Sequence, residues 1–299
     1  MFSHVFVLST REIIFNCEMV VTCAASNDFG FVFFVLVQAE KSRGEINAWV
    51  KQETKSKIDE ILPSGALNEN TKLVLANALY FKGTWQKKFE ASQTKDGDFY
   101  LLNGETISIP MMTTKKKQEI SSHDSFKVLR LPYSNGQDVR SFSMYIILPN
   151  EKTGLFALEK GLTVDILEKT LVKGVEIDVG SFKLPKFKVS AGYEVPDTLK
   201  EMGMKLPFSD EADFSGMVDT SNGGHALSIS NVFHKTFIEV NEEGTEAAAA
   251  TAGVITLRSF VRRSSEDFIA DHPFMFVLKE DITGIIVFMG HVVNPLSTS

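Results

Sequence analysis

A continuous, mostly apolar run, Lys72–Phe81 (KLVLANALYF), constrains the fold of this 299-residue chain more than any other feature. Unbroken apolar runs of this kind are typical of strands that are covered on both faces. A fold that covers a strand on both faces needs a large core. With 43% hydrophobic and 23% charged residues, the chain has the composition of a soluble globular protein that can supply one.

The chain divides into an atypical N-terminal segment, residues 1–44, and one mixed, mostly antiparallel domain, residues 45–299. Residues 1–44 show neither a helical nor a strand period. From Glu45 onward the pattern is regular and predicts a helix over 46–62 that ends at Pro63. The remaining predictions are strands at 72–81, 98–102, 105–110, 126–131, 142–148, 175–189, 226–240, 273–279 and 284–293, helices at 155–171 and 195–203, and a turn at 281–284.

The charge of the chain and the length of its apolar runs argue against nucleic-acid and membrane partners. The net charge of −7 argues against a nucleic-acid-binding face, which needs clustered lysine and arginine. The longest apolar run, Phe29–Val37, has nine residues, whereas a membrane-spanning helix needs about 20. No clear signal peptide is seen. The two cysteines, Cys17 and Cys23, cannot complete a four-ligand zinc site, and they leave the redox compartment open.

Motifs of the common enzyme classes are absent from the sequence, so we predict no enzyme, no cofactor and no metal. The six histidines are scattered. His234 lies in a strand pattern, where a core histidine is favoured over a catalytic base. The lysine run 115–117 fits a solvated loop better than a polyanion site.

The most distinctive segment is Glu242–Ser259 (EEGTEAAAATAGVITLRS). A short alanine helix is one interpretation, but Gly244 and Gly253 leave only eight residues between them, and isolated helices below about 12 residues are marginal. As an extended strand the segment has a clear pattern. Every second residue from Thr245 to Gly253 is small and uncharged, so one face is free of charge, and no proline lies between Thr245 and Arg258.

This segment resembles the reactive-centre hinge of the serpin family, protease inhibitors that insert a cleaved loop into a β-sheet. The similarity to this family covers about residues 45–296. Four other segments resemble the family: Leu73–Trp85 (LVLANALYFKGTW), Phe233–Gly244 (FHKTFIEVNEEG), Asp271–Phe274 (DHPF) and Gly290–Pro295 (GHVVNP). The unbroken alanine run and the sequence NALYFKG are similar to plant serpins in particular.

The resemblance implies an α+β serpin fold, with a large, mostly antiparallel central sheet, flanking helices and an exposed reactive-centre loop. It also implies that the chain inhibits serine-type endopeptidases as a suicide substrate cleaved at Arg258–Ser259. The neighbouring subsites would be Leu257, Thr256 and Ile255. The hinge would comprise Glu242, Glu243, Gly244, Thr245, Glu246, Ala247, Ala248, Ala249, Ala250 and Thr251.

Four further residues are implied to control sheet opening. Asn77 and His234 fall where the family has a polar pair linking neighbouring strands, and Lys186 and Glu242 where a charge pair closes the top of the sheet near Trp85. The alternative to a role in sheet opening is that these residues only pack in the core or solvate the strand ends. The expected partner is a trypsin-like serine protease or an Arg-specific cysteine protease, with the chain acting as a monomer. The family default for localisation is the extracellular space, with the cytoplasm as alternative.

One part of the family pattern has no recognisable counterpart here. The helices and strands that open the family's fold do not resemble residues 1–44, so the resemblance implies an N-terminally truncated or atypical member of the family. We therefore expect the strand at 72–81 to be an apolar edge. A non-inhibitory serpin-fold protein, whose loop is cut as a plain substrate or used for binding, is the alternative function.

Overall fold

The computed structural model describes residues 14–16, 19–21, 31–35, 39–68, 71, 73–135, 139–214, 227–245 and 265–297. These residues form seventeen strands and four α-helices. In chain order they are β1 (Ile14–Asn16), β2 (Met19–Val21), β3 (Phe31–Val35), α1 (Ala39–Glu53), β4 (Leu73–Tyr80), β5 (Gly83–Thr84), β6 (Lys95–Tyr100), β7 (Thr106–Met112), β8 (Gln118–Ser122), β9 (Phe126–Pro132), β10 (Phe142–Pro149), α2 (Leu155–Gly161), α3 (Val164–Thr170), β11 (Glu176–Pro185), β12 (Phe187–Glu194), α4 (Pro196–Glu201), β13 (Ile229–Val240), β14 (Gly244–Thr245), β15 (Ser265–Ile269), β16 (Phe274–Glu280) and β17 (Ile286–Val292).

The chain forms two compact units, and the first is built mainly from residues 82–189 and 239–298. Its nine-stranded sheet has the order β17-β16-β10-β9-β8-β11-β7-β6, and β15 pairs in parallel with β11. Helices α2 and α3 cover one face of this sheet, where Leu155 and Leu158 pack with Tyr145, Ile147 and other buried side chains. A separate short ladder joins β14 to β5.

The second unit is built mainly from residues 7–81 and 190–238. Its sheet has the order β12-β13-β4-β3, and β4 and β13 run parallel. Buried Asn47 of α1 accepts hydrogen bonds from the amides of Ile61 and Leu62, so the chain after the helix folds back onto it. Ile46 and Val50 of α1 then pack against Val74 and Ala76 of β4, which covers one face of the predicted buried strand.

Several predicted boundaries differ from those in the structure. The helix predicted over 46–62 covers 39–53, because Lys55 and Ser56 adopt left-handed φ values of 51° and 60° and end it. The helix predicted over 155–171 is two helices, since Thr163 caps the second by accepting a hydrogen bond from the Ile166 amide. The strand predicted at 175–189 is likewise two strands, β11 and β12, and the short strands β8 and β15 were not predicted.

The expectation that residues 72–81 form an exposed edge is wrong. Strand β3 pairs antiparallel with β4, with Phe31 opposite Asn77 and Val35 opposite Leu73. The backbone groups of β4 therefore have neighbours on both sides, β3 on one and β13 on the other. Among the helices that the structure describes, none is long and apolar enough to cross a membrane.

Candidate functional site

The candidate site is the chain segment that follows β13 directly, Asn241–Thr245, which we call the hinge site. Its backbone is held by the segment that follows β4. Gly244 and Thr245 pair antiparallel with Thr84 and Gly83. The amide of Trp85 donates to the carbonyl of Glu243, and the amide of Phe89 donates to the carbonyl of Glu242, each at 2.9 Å. The end of β13 is therefore joined to residues 83–89 by backbone hydrogen bonds.

Gly244 allows the two segments to approach closely. Its φ of 144° lies in the region that side-chain-bearing residues rarely adopt. A Cβ atom added to it would lie 2.0 Å from the carbonyl oxygen of Gly83 and 2.7 Å from the Cα of Thr84. Glycine is thus required at this position for both conformational and steric reasons.

Glu242 is a largely buried carboxylate with two partners on different strands or loops. Its Oε2 atom lies 3.0 Å from Nζ of Lys186, and its Oε1 accepts a hydrogen bond of 2.8 Å from the hydroxyl of Thr94. Burial opposes ionisation of Glu242, but the bonds from Lys186 and Thr94 outweigh it and hold its pKa below the ordinary value of 4.5. The carboxylate is therefore charged near neutral pH and fixed in place.

Trp85 ties the first residue of the hinge site to the same region. Its indole Nε1 donates a 2.8 Å hydrogen bond to the carbonyl of Asn241, and its side chain is buried. The ring stacks on Tyr133, with 4.3 Å between ring centroids. The side-chain oxygen of Asn241 in turn accepts from the amide of Glu243. Trp85 thus fixes a carbonyl that a strand continuing from β13 would carry.

Thr245 ends the described part of this segment, and only 1% of its surface is exposed. Its hydroxyl lies 2.8 Å from the phenolic oxygen of Tyr133. Burial raises the pKa of Tyr133 well above its usual value, so the phenol stays neutral and can exchange a hydrogen bond with the threonine. The side chain of Thr245 therefore points into the interior of its unit.

The second pair implied by the sequence lies in the other unit, between β4 and β13. Asn77 and His234 are direct register partners in this parallel ladder. Asn77 is buried, and His234 is partly buried. Both residues lie within the sheet, and the core role of His234 stays a prediction.

The remaining predicted site residues lie outside the described residues. They are Glu246, Ala247, Ala248, Ala249, Ala250 and Thr251 of the hinge, and Ile255, Thr256, Leu257, Arg258 and Ser259 around the reactive bond. Within the part of the chain that the structure describes, no group of three or more histidine, cysteine, aspartate or glutamate side chains is arranged to hold a metal ion.

Comparison with known proteins identifies the family. The family model described as serpin (serine protease inhibitor) matches residues 32–295. This chain belongs to the serpin family. The plant relatives of this serpin include rice Serpin-ZXA, 54% identical over 261 residues that make up 87% of this chain and 65% of the relative. They also include barley Serpin-ZX, 53% identical over 262 residues, 87% of this chain and 65% of the relative.

Solved structures agree with this assignment. Arabidopsis AtSerpin1 in its native stressed conformation is 48% identical, with a TM-score of 0.74 over 86% of this serpin and 66% of that chain. Uncleaved ovalbumin is 30% identical, with a TM-score of 0.72 over 86% of this serpin and 63% of the ovalbumin chain. The predictions of a serpin fold and of plant-type character are confirmed. This serpin spans about 65% of the length of the rice and barley relatives.

Asn241 of the hinge site and three residues that contact this site were not predicted from the sequence. They are Lys88, Thr94, Tyr133 and Asn241, which contact Glu243, Glu242, Thr245 and Trp85 respectively. Asn241 could have been found because it adjoins the Glu242–Glu243 pair. Tyr133 carries no such signal, since it is 112 positions from Thr245 and only the fold brings the two together.

Proposed function

We propose that this serpin inhibits trypsin-like serine proteases, or other Arg-specific proteases, as a suicide substrate cleaved between Arg258 and Ser259. The observation that carries the proposal is the placement of Thr245. This residue lies five positions after the end of β13, is buried, and has its hydroxyl bonded to Tyr133. A segment that starts with an inward-facing threonine and continues with small alternating residues is suited to extend into a sheet.

The parallel pairing of β4 with β13 supports an insertion slot. A segment that turns back after β13 would run antiparallel to both strands if it entered between them. One parallel ladder would then become two antiparallel ladders, which are slightly more stable per residue. The 14 residues from Thr245 to Arg258 would extend over roughly 46 Å, and the 12 residues of β13 over about 40 Å, so the lengths are matched.

The chemistry of the trap follows from the cleavage site. The protease nucleophile attacks the carbonyl carbon of Arg258, the amine of Ser259 leaves, and an acyl-enzyme forms. An arginine fits a specificity pocket that holds a carboxylate, since the guanidinium can form a bidentate pair with it. Leu257 would fill the adjacent subsite, followed by Thr256 and Ile255.

The energy available from insertion is sufficient to disturb the bound protease. At about 1 kcal/mol net per hydrogen bond, the new ladders would contribute on the order of 10 kcal/mol. A typical protease is stable by about 5–15 kcal/mol. Because the protease is attached through the acyl bond, inserting the loop would pull on it and could distort its active site before deacylation.

The test is to incubate the full chain with trypsin and to separate the products on a denaturing gel. We expect a band that resists SDS at the combined mass of the two proteins. A trypsin whose active-site serine has been replaced by alanine is the control, and it should give no such band. Complete cleavage of the chain without any complex would contradict inhibition and favour the non-inhibitory alternative.

A further inference from the structure

Lys88 contacts the second carboxylate of the hinge site, Glu243. Its Nζ lies 2.5 Å from Oε2 of Glu243 in an ion pair that lacks hydrogen-bond geometry. The Oε2 atom is shielded from solvent, and the two side chains are 38% and 24% exposed. A carboxylate oxygen without access to water depends on a nearby cation for its stabilisation. In the part of the hinge that the structure describes, Lys88 supplies that charge.

This ion pair closes over a junction that the backbone has already formed. The amide of Trp85 donates to the carbonyl of Glu243, and the amide of Phe89 donates to that of Glu242. Lys88 lies between these two donors in the chain. Its side chain therefore adds a charge contact from the same short segment that holds the hinge by its main chain, so releasing the hinge requires both kinds of contact to break.

The position of Lys88 is itself supported from the lysine run at 115–117. The Nζ of Lys116 donates a 3.2 Å hydrogen bond to the carbonyl of Lys88, and it lies 4.0 Å from a carboxylate oxygen of Glu90. The backbone that carries Lys88 is thereby held close to this run. Lys116, which the sequence assigns to a solvated loop, thus contacts the segment beside the hinge site.

The adjacent residue, Lys87, extends to a different part of the fold. Its Nζ lies 2.5 Å from Oε1 of Glu176 on β11 and donates to the carbonyl of Lys117. Its side chain is 33% exposed, close to the 38% of Lys88. The two neighbours therefore have the same chemistry and similar exposure, but only Lys88 is paired with the hinge.

We propose that Lys88 is a positioning residue that locks the hinge site through Glu243, and thereby sets how readily this site separates from residues 83–89 before the segment after Thr245 can insert. The proposal rests on the proposed function, because the lock matters for inhibition only if that segment inserts. The lock itself can be measured without any protease. Replacing Lys88 with methionine keeps most of the side-chain volume but leaves Glu243 without its cation.

The direct measurement is hydrogen exchange of the peptide that contains the amides of Trp85 and Phe89, in the absence of protease. We expect Lys88→Met to raise the exchange rate of these amides by about three- to tenfold, as for loss of a half-buried ion pair. Lys87→Met is the matched control and should accelerate this exchange clearly less than Lys88→Met, because Lys87 pairs with Glu176 and the carbonyl of Lys117 rather than with Glu243. The reversed pair, Lys88→Glu with Glu243→Lys, should restore slow exchange if charge is responsible.

Ionic strength provides a second readout. Raising ionic strength from about 0.02 M to 0.5 M shortens the screening length severalfold, so exchange should accelerate in the unaltered chain and change little in Lys88→Met. Equal exchange in the unaltered chain and Lys88→Met would overturn the lock, as would an equal acceleration by Lys87→Met. If Lys88→Met exchanges faster but no variant forms a protease complex, the lock stands and the inhibitory function fails.

Discussion

The phenolic oxygen of Tyr133 and the hydroxyl oxygen of Thr245 lie 2.8 Å apart, and both side chains are buried. Tyr133 also stacks on Trp85, whose indole binds the carbonyl of Asn241. The same aromatic pair therefore contacts the first and the last described residues of the hinge site. This arrangement fixes the direction of the Thr245 side chain.

Replacing Tyr133 with phenylalanine should destabilise the protein by about 1 kcal/mol, because the hydroxyl of Thr245 would remain buried after losing a partner. The measurement is the free energy of unfolding from denaturant titration. Thr245→Val and the double variant complete a mutant cycle. A double variant that loses less stability than the sum of the single variants is expected, whereas strictly additive losses would show that the two hydroxyls do not interact.

Gly244→Ala should open the short β5–β14 ladder. The added Cβ would lie 2.0 Å from the carbonyl oxygen of Gly83, and alanine disfavours the φ of 144°. We expect a loss of about 2 kcal/mol or more in the free energy of unfolding. Gly161→Ala at the end of α2 is the control, because a Cβ there meets no atom within 4 Å. Equal stability of the two variants would contradict the close approach.

Acid should weaken the contact between Glu242 and Lys186. Since the folded-state pKa of Glu242 lies below its ordinary value of 4.5, the carboxylate stabilises the folded protein fully above that value. This stabilisation is lost as the pH falls through the lower folded-state pKa. The stability difference between the unaltered chain and Glu242→Gln should therefore shrink below about pH 4.5. Unfolding titrations between pH 7 and pH 3 test this, and a constant difference would contradict it.

The strands were predictable where hydrophobic pattern decides the structure. The run at 72–81 contains β4, and the hairpin strands at 273–279 and 284–293 correspond to β16 and β17 within a few residues. Helix ends were less predictable. The left-handed backbone at Lys55 and Ser56 ends α1 without any glycine or proline to signal it.

The candidate site was predictable only where the family resemblance supplied a position. Glu242, Lys186 and Trp85 meet in one region of the structure, as the resemblance implies. The contacts of Thr94 with Glu242 and of Tyr133 with Thr245 were missed because each joins residues more than a hundred positions apart. Such contacts depend on how the sheet strands are ordered, and no local period in the sequence encodes that order.

Trypsin should cut the bond between Arg258 and Ser259 before any other. The prediction rests on the spacing from Glu242 and on the preference of trypsin-like pockets for arginine. Mass spectrometry of the released C-terminal peptide should show Ser259 at its start. Arg258→Gln should slow this cleavage strongly. A dominant cut after Arg262 or Arg263 in the unaltered chain would show that the reactive bond is assigned wrongly.

Thr245→Arg should convert an inhibitor into a substrate without moving the cleavage site. The side chain of Thr245 is 1% exposed. An arginine at this inward-facing position would carry an unpaired charge into the sheet, at a cost of several kcal/mol. We expect the yield of SDS-resistant complex to fall more than about tenfold, while cleavage at Arg258 continues. Glu246→Arg is the matched control, because strand alternation places residue 246 on the outward face, where a charge stays hydrated. Equal complex yields from the two variants would show that the inward and outward faces of the inserted segment are assigned wrongly.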